Sequence, residues 1–223
     1  MLDFDAEWLQ RTILTLPPLL LSLTLHEYAH ARTALAFGDP TAARMGRITL
    51  NPLRHLDPIG TLMLVFSGVI GWAKPVPVNP LNFSRRRIGD IAVSAAGPLT
   101  NLLLAIVAGL LLRLWLKVVP ETQPVFEPGQ MVLFWTAAAN LGLCFFNLLP
   151  LFPLDGHHIV RELLPGDRQV DFMRWQIRFG GILLLALLLG PRLIETVTNR
   201  PSPVDPLGLY FDRVVFPLLG LLL

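Results

Sequence analysis

The chain has 223 residues, and its 15% of charged residues falls well below the roughly 25% of an average soluble domain. Hydrophobic residues make up 53% and the mean hydropathy is +0.57, with charge segregated so that several apolar stretches are long enough to cross a bilayer. This excludes an ordinary soluble domain; the net charge of +2 gives no reason to expect nucleic acid as a partner, since basic residues in membrane proteins mark the cytosolic loops.

Asp3, Asp5 and Glu7 stand where a secretory signal would carry basic residues, so no cleavable signal peptide is expected. Trp8 to Phe37 predicts a long helix that contains Pro17-Pro18 and ends near Gly38-Asp39-Pro40. Thr41 to Pro58 alternates polar and apolar residues and predicts short strands or turns, a small membrane-associated β-hairpin. Ile59 to Trp72 is apolar but too short for an ordinary span, which suits a re-entrant segment. Lys74-Pro-Val-Pro-Val-Asn-Pro80 must be extended, because proline fixes φ and lacks a donor. Arg85, Arg86 and Arg87 then precede a second long span, about Ile88 to Leu116. A third, from about Met131 to Leu151, contains no charge and includes the single cysteine, Cys144, as a packing residue. His157 to Arg178 is polar. Phe179 to Val197 predicts a further helix broken near Gly190-Pro191, and Leu207 to Leu223 a last one containing Asp212 and Arg213.

The expected fold is therefore an all-α polytopic membrane protein of about five to six transmembrane helices, with a β-hairpin and re-entrant region at about 41–80. No polar linker divides the chain, so residues 1–223 read as one domain. Residues 38–87 hold seven Lys/Arg against two acids, while residues 118–129 hold two glutamates and no base. The positive-inside rule puts residues 38–87 on the cytosolic side of the cell membrane and the N-terminus outside.

His26-Glu27-Tyr28-Ala29-His30 reads H-E-x-x-H inside the first helix. Histidines at i and i+4 share a face, so both imidazoles can reach one metal ion. The glutamate projects about 100° from the first histidine, near enough to take a proton from water at the metal without ligating it. The bland alternative is a helix end meeting lipid headgroups, which the apolar flank disfavours, because ionisable residues at membrane depth are costly. A catalytic zinc needs a third protein ligand. Asp155 follows the charge-free span in Asn147-Leu-Leu-Pro150-Leu-Phe-Pro153-Leu-Asp155-Gly156, where the prolines break the helix. It reads either as a ligand or as a cap on the next helix, with His157 and His158 as rival ligands.

Three blocks together, His26–His30, Ala96-Gly97-Pro98-Leu99-Thr100-Asn101 and Asn147–Gly156, resemble the site-2 protease family of intramembrane metalloproteases. Gly46-Arg-Ile-Thr-Leu-Asn-Pro52, Asp57-Pro-Ile-Gly60 and Gly71-Trp-Ala-Lys-Pro-Val-Pro-Val-Asn-Pro80 look like its compact prokaryotic members. The likeness covers roughly residues 15–165. It implies one zinc per chain on His26, His30 and Asp155, with Glu27 as general base. It also implies that Asn147 positions substrate or the developing oxyanion, and that Asn101 is a substrate-binding candidate. The substrate would be a single-span transmembrane protein, paired in extended form with a hairpin at 41–58. Two places depart from the family pattern: Phe152 stands where proline is common, and His157-His158 follows Leu-Asp-Gly. No insertion is large enough for a PDZ domain and no C-terminal extension for a CBS domain. Access would then be controlled in the membrane core, by a regulatory membrane partner or by a homo-oligomer. Two other classes compete: a catalytically silent metal-binding scaffold of the same fold, and a metal transporter, which has no need of Glu27.

Overall fold

A computed structural model describes residues 6–67 and 71–223. Asp3, Asp5 and residues 68–70 of the short apolar run lie outside them. The described chain is all-helical. Among the described residues, three helices are long and apolar enough to cross a membrane by length and composition: α4 (Arg86–Val118), α5 (Phe126–Asn147) and the continuous stretch Gly166–Thr198. That stretch joins α7 (Gly166–Trp175) to α8 (Gly181–Thr198) through a π-turn at Gln176–Gly180. At most 28% of each apolar window is buried inside the protein, so most of that apolar surface faces outward, as on a lipid-facing helix. The molecule is an integral membrane protein.

The first helix, α1 (Ala6–Ala36), runs unbroken through Pro17 and Pro18. Ser22 Oγ donates to Pro18 O (2.8 Å) and Thr24 Oγ1 to Leu20 O (2.7 Å), so polar side chains in the helix satisfy themselves on its own carbonyls. Helix α4 is central: it packs against α1, α5 and the short α6 (Asp155–Leu163), and α1 also touches α5. Where α4 and α5 meet, the buried residues are small, Ala105, Ala108 and Ala137, which lets the backbones approach closely. Leu141 of α5 completes that core. So do Val215 and Leu219 from the last stretch, which comprises α9 (Pro206–Tyr210), a π-turn and α10 (Phe216–Leu222).

Two expectations meet a different structure. The break expected at Gly190-Pro191 is absent, because α8 continues through Pro191. In an apolar surround a proline forfeits one hydrogen bond, whereas a full break would free several backbone groups with no water to take them. The hairpin expected at 41–58 is also absent among the described residues. In its place are a one-turn α2 (Thr41–Arg44), a 3₁₀ turn at Pro52–Arg54 and the apolar α3 (Pro58–Ser67), with one isolated antiparallel bridge between Leu56 and Ala73. Pro40, Pro52 and Pro58 interrupt the segment and remove donors that a ladder would need.

Of the stretch Lys74–Pro80 expected to be extended, Lys74 to Asn79 is so, and Pro80 instead opens a 3₁₀ turn (Pro80–Asn82). Three of its N–H groups are committed to the protein: Lys74 donates to His55 O (2.7 Å), Val76 to Glu27 Oε2 (3.1 Å) and Asn79 to Asp39 Oδ2 (2.7 Å). This strap therefore lies against α1, fixed at the carboxylates of Glu27 within the helix and Asp39 beyond its end. Asp39, just past the end of α1, also accepts from Thr41 and Asn82. Burial alone would raise its pKa, but these donors, Asn79 N–H foremost, hold its carboxyl below the ordinary value.

Candidate metal centre

The α-helical repeat brings His26 and His30 to one face of α1, and their Nε2 atoms lie 3.0 Å apart. Asp155, the first residue of α6, meets both: Oδ2 is 3.3 Å from His26 Nε2 and Oδ1 is 3.4 Å from His30 Nε2. These three side chains are a group of metal-capable ligand atoms within mutual reach. A tetrahedral zinc with bonds of ~2.0–2.1 Å separates its ligand atoms by about 3.3 Å, so the three spacings match the edges of one such tetrahedron.

The surroundings fit a cation as well. His26 Nδ1 meets Asn101 Oδ1 at 2.5 Å, and His30 Nδ1 meets the Val93 carbonyl at 2.7 Å. Both partners accept, so each Nδ1 carries the proton and each Nε2 turns a lone pair toward the other. Two facing lone pairs and a carboxylate repel unless a cation stands among them. Asp155 Oδ2 is buried and has no hydrogen-bond partner, as a ligand atom should be. The donor set, two neutral imidazoles and one carboxylate, is one that zinc takes in hydrolytic sites.

Four features hold these side chains there. Gly97 of α4 faces the imidazoles: a Cβ at this position would stand 2.4 Å from His30 Nε2 and 2.6 Å from His26 Nε2. Gly156 lets the start of α6 press on the end of α5, where a Cβ would be 2.3 Å from Leu148 O. The loop between them is clamped by Gln176 of the π-turn, which accepts from Phe152 N (2.8 Å) and donates to Pro150 O (2.6 Å). Further along α6, Arg161 pairs with the buried Asp90 of α4 and with Glu162, fastening the helix that carries Asp155.

Glu27 is half-buried one residue around the helix from His26, and the Val76 N–H bond holds its carboxylate. Asn147 lies half-buried at the C-terminal end of α5 and donates to Leu143 O, 3.0 Å away on its own helix. Asn101 is fully buried behind His26 and also donates to Asn140 (2.7 Å), so it faces the core rather than an open cleft. His157 and His158 are not among the clustered ligand atoms. Burial lowers the pKa of His157, whose Nδ1 meets Leu154 O. His158 is pushed down to about 4, by burial first and then by His157.

Sequence reasoning passed over Asn140, Ser22 and Gln176, all buried and all tied to this centre. Asn140 had the same signal that singled out Asn101, an amide within an apolar helix. Ser22 and Gln176 had none, because a single polar residue does not disclose which neighbour its helix face meets.

The sequence is similar to those of known proteins. Residues 118–187, which include Asp155 and α6, match Peptidase family M50. The chain is 42% identical over 175 residues to "Putative zinc metalloprotease YwhC" of Bacillus subtilis (strain 168), covering 78% of each. It is 33% identical over 190 residues to Rip2 of Mycolicibacterium smegmatis, which bears the same description, covering 81% of this chain and 68% of that one. It is also 26% identical over 146 residues to "Zinc metalloprotease MJ0392" of Methanocaldococcus jannaschii, covering 66% of this chain and 33% of that one. No solved structure matches the chain at a significant level. With a relative of 42% identity along most of both chains, and a family match that includes α6 and Asp155, the chain belongs to peptidase family M50, the site-2 protease family.

Proposed function

We propose that the protein is an intramembrane zinc endopeptidase that cleaves single-span membrane proteins within or near their transmembrane segments. The observation that carries this reading is the set of three ligand atoms 3.0–3.4 Å apart, beside a glutamate one residue from the first ligand. His26 and His30 lie six to ten residues before the end of α1, about 9–15 Å along the helix axis. That depth suits a site reached from within the bilayer. On this reading α1 and the stretch 206–222 are embedded beside the three apolar helices, and α3 is re-entrant.

His26, His30 and Asp155 hold one zinc per chain, and zinc supplies a Lewis acid that makes water a nucleophile near neutral pH and polarises a carbonyl. Glu27 takes the proton of the attacking water on its carboxylate and passes it to the leaving amine as the peptide C–N bond breaks. Asn147, freed from Leu143 O, donates to the oxygen that gains charge. A transmembrane helix hides its carbonyls in its own hydrogen bonds, so the substrate must enter extended. The strap at 73–79 is the nearest extended backbone for it to pair with, and the Val76 bond to Glu27 must yield for the base to act.

The purified protein in detergent is expected to cut a model transmembrane segment, to stop when a chelator strips the metal, and to resume with added zinc. Zinc binding without cleavage would instead identify a silent scaffold, and metal uptake into proteoliposomes a transporter.

We further propose that residues 38–87 face the cytosol, since the charge asymmetry argues for it. With Cys144 replaced, single cysteines at Ser84 and Thr122 are expected to label from opposite sides of the membrane. Labelling of both from one side would discard this topology.

A further inference from the structure

We propose that Asn101, Asn140 and Ser22 form a hydrogen-bond chain of fixed polarity that sets the tautomer and the aim of His26. The inference rests on the metalloprotease reading, and it gives Asn101 a positioning role in place of contact with substrate.

The chain crosses three helices. Asn140 Nδ2 of α5 donates to Ser22 Oγ of α1 (2.7 Å) and to Thr136 O on its own helix (2.9 Å). Asn101 Nδ2 of α4 donates to Asn140 Oδ1 (2.7 Å), and Asn101 Oδ1 meets His26 Nδ1. Asn101 and Asn140 are fully buried and Ser22 is 2% exposed, so no water stands in for a lost partner. In such surroundings a polar network must be satisfied throughout.

An amide can be turned end for end, so the direction of the chain needs a fixed point. Two backbone carbonyls supply it. Thr136 O can only accept, which forces the Asn140 nitrogen toward it. The Ser22 hydroxyl spends its proton on Pro18 O, so it too accepts from Asn140. Asn140 must then present oxygen to Asn101, Asn101 must answer with nitrogen, and its oxygen is left facing His26. An acceptor at that place requires Nδ1–H, and the lone pair is thereby placed on Nε2, the atom that faces His30 and Asp155. His30 gets the same tautomer from Val93 O, a main-chain group that no side-chain substitution removes. Only His26 depends on side chains for its tautomer. Asn101 itself is sealed from any cleft and committed at both ends, so it acts through His26.

Outer partners of a ligating histidine are worth about 10–100-fold in metal affinity. In the full-length protein in detergent, Asn101→Leu and Asn140→Leu are each expected to weaken zinc, measured by chelator competition, by about that factor while leaving one site per chain. The visible spectrum of the cobalt-substituted protein should shift in both. Asn101→Asp keeps an acceptor for Nδ1 and should bind zinc more tightly than Asn101→Leu. The Asn101→Leu/Asn140→Leu double variant should be no worse than Asn101→Leu, since the two act in series. Wild-type affinity and cobalt spectrum in Asn101→Leu or Asn140→Leu would overturn the inference, as would Asn101→Asp that binds no better than Asn101→Leu. Should the leucine variants not fold, nitrogen-15 NMR of labelled histidines in the metal-free wild type decides: His26 must be the Nδ1–H tautomer, and the Nε2–H form overturns the proposal. A wild type that binds no zinc, or whose zinc is indifferent to His26→Ala, fails the metalloprotease reading instead. Normal zinc at His26 with indifferent asparagine variants fails only this inference.

Discussion

Zinc-loaded Glu27→Gln protein is expected to bind a transmembrane substrate and to cleave it at or below about one per cent of the wild-type rate. General-base catalysis contributes roughly 10²–10⁴-fold, and the amide keeps the shape of the side chain while removing its basicity. The substitution should leave the metal in place, because Glu27 is not among the clustered ligand atoms. Its Oε2 accepts from Val76 N–H, and a glutamine oxygen can accept the same bond, so the strap should stay seated. Metal content and turnover must come from one preparation, since zinc loss would also silence the enzyme. A zinc-loaded variant turning over at the wild-type rate would remove Glu27 from the mechanism and much of the case for a peptidase of this type.

Gly97→Ala should abolish activity by a different route. In a helix interior alanine is favoured over glycine by about 1 kcal/mol, so substitution in α4 should not harm the helix itself. The added methyl would however stand 2.4–2.6 Å from ring atoms of both His26 and His30. Neither imidazole can swing aside cheaply, for Asn101 and Val93 hold them from behind. The rings must turn and the ligand triangle must open. Zinc affinity is expected to fall by at least about 100-fold, the scale on which misplacement by an ångström is felt, while the metal-free protein keeps its helical circular dichroism and its elution position. If Gly97→Ala holds zinc as tightly as wild type, the glycine serves helix packing alone.

The contrast between these sites explains what could be read from the sequence. H-E-x-x-H is legible because both imidazoles and the base belong to one helix, where spacing alone fixes their directions. Gly97 could be noticed but not interpreted, since a glycine in a membrane helix reads equally as close packing, and its facing pair is more than sixty residues away in sequence. The hairpin at 41–58 misled because Arg47-Ile48-Thr49-Leu50 alternates like a strand. In the structure that stretch is instead pinned by side chains: His55 Nε2 donates to Thr49 O (2.8 Å) and Arg47 to Lys74 O. Tertiary bonds of this kind override a local pattern. The extended strap, by contrast, was legible at once, because three prolines in seven residues leave the backbone little choice.

The division of the ligands along the chain bears on how the molecule is made. A nascent chain delivers α1 first, with two imidazoles and a base already aligned, but the carboxylate that completes the set arrives only with α6, after α4 and α5. Until then a metal would find only the two imidazoles of α1, and Gly97 and Asn101 arrive with α4 to shape and align them. Insertion order thus acts as a safety catch. On the proposed assignment, a truncated or half-inserted chain would present a recognisable motif and no hydrolytic centre, and proteolytic capacity would be expected only when the helices on both sides of the site have found each other.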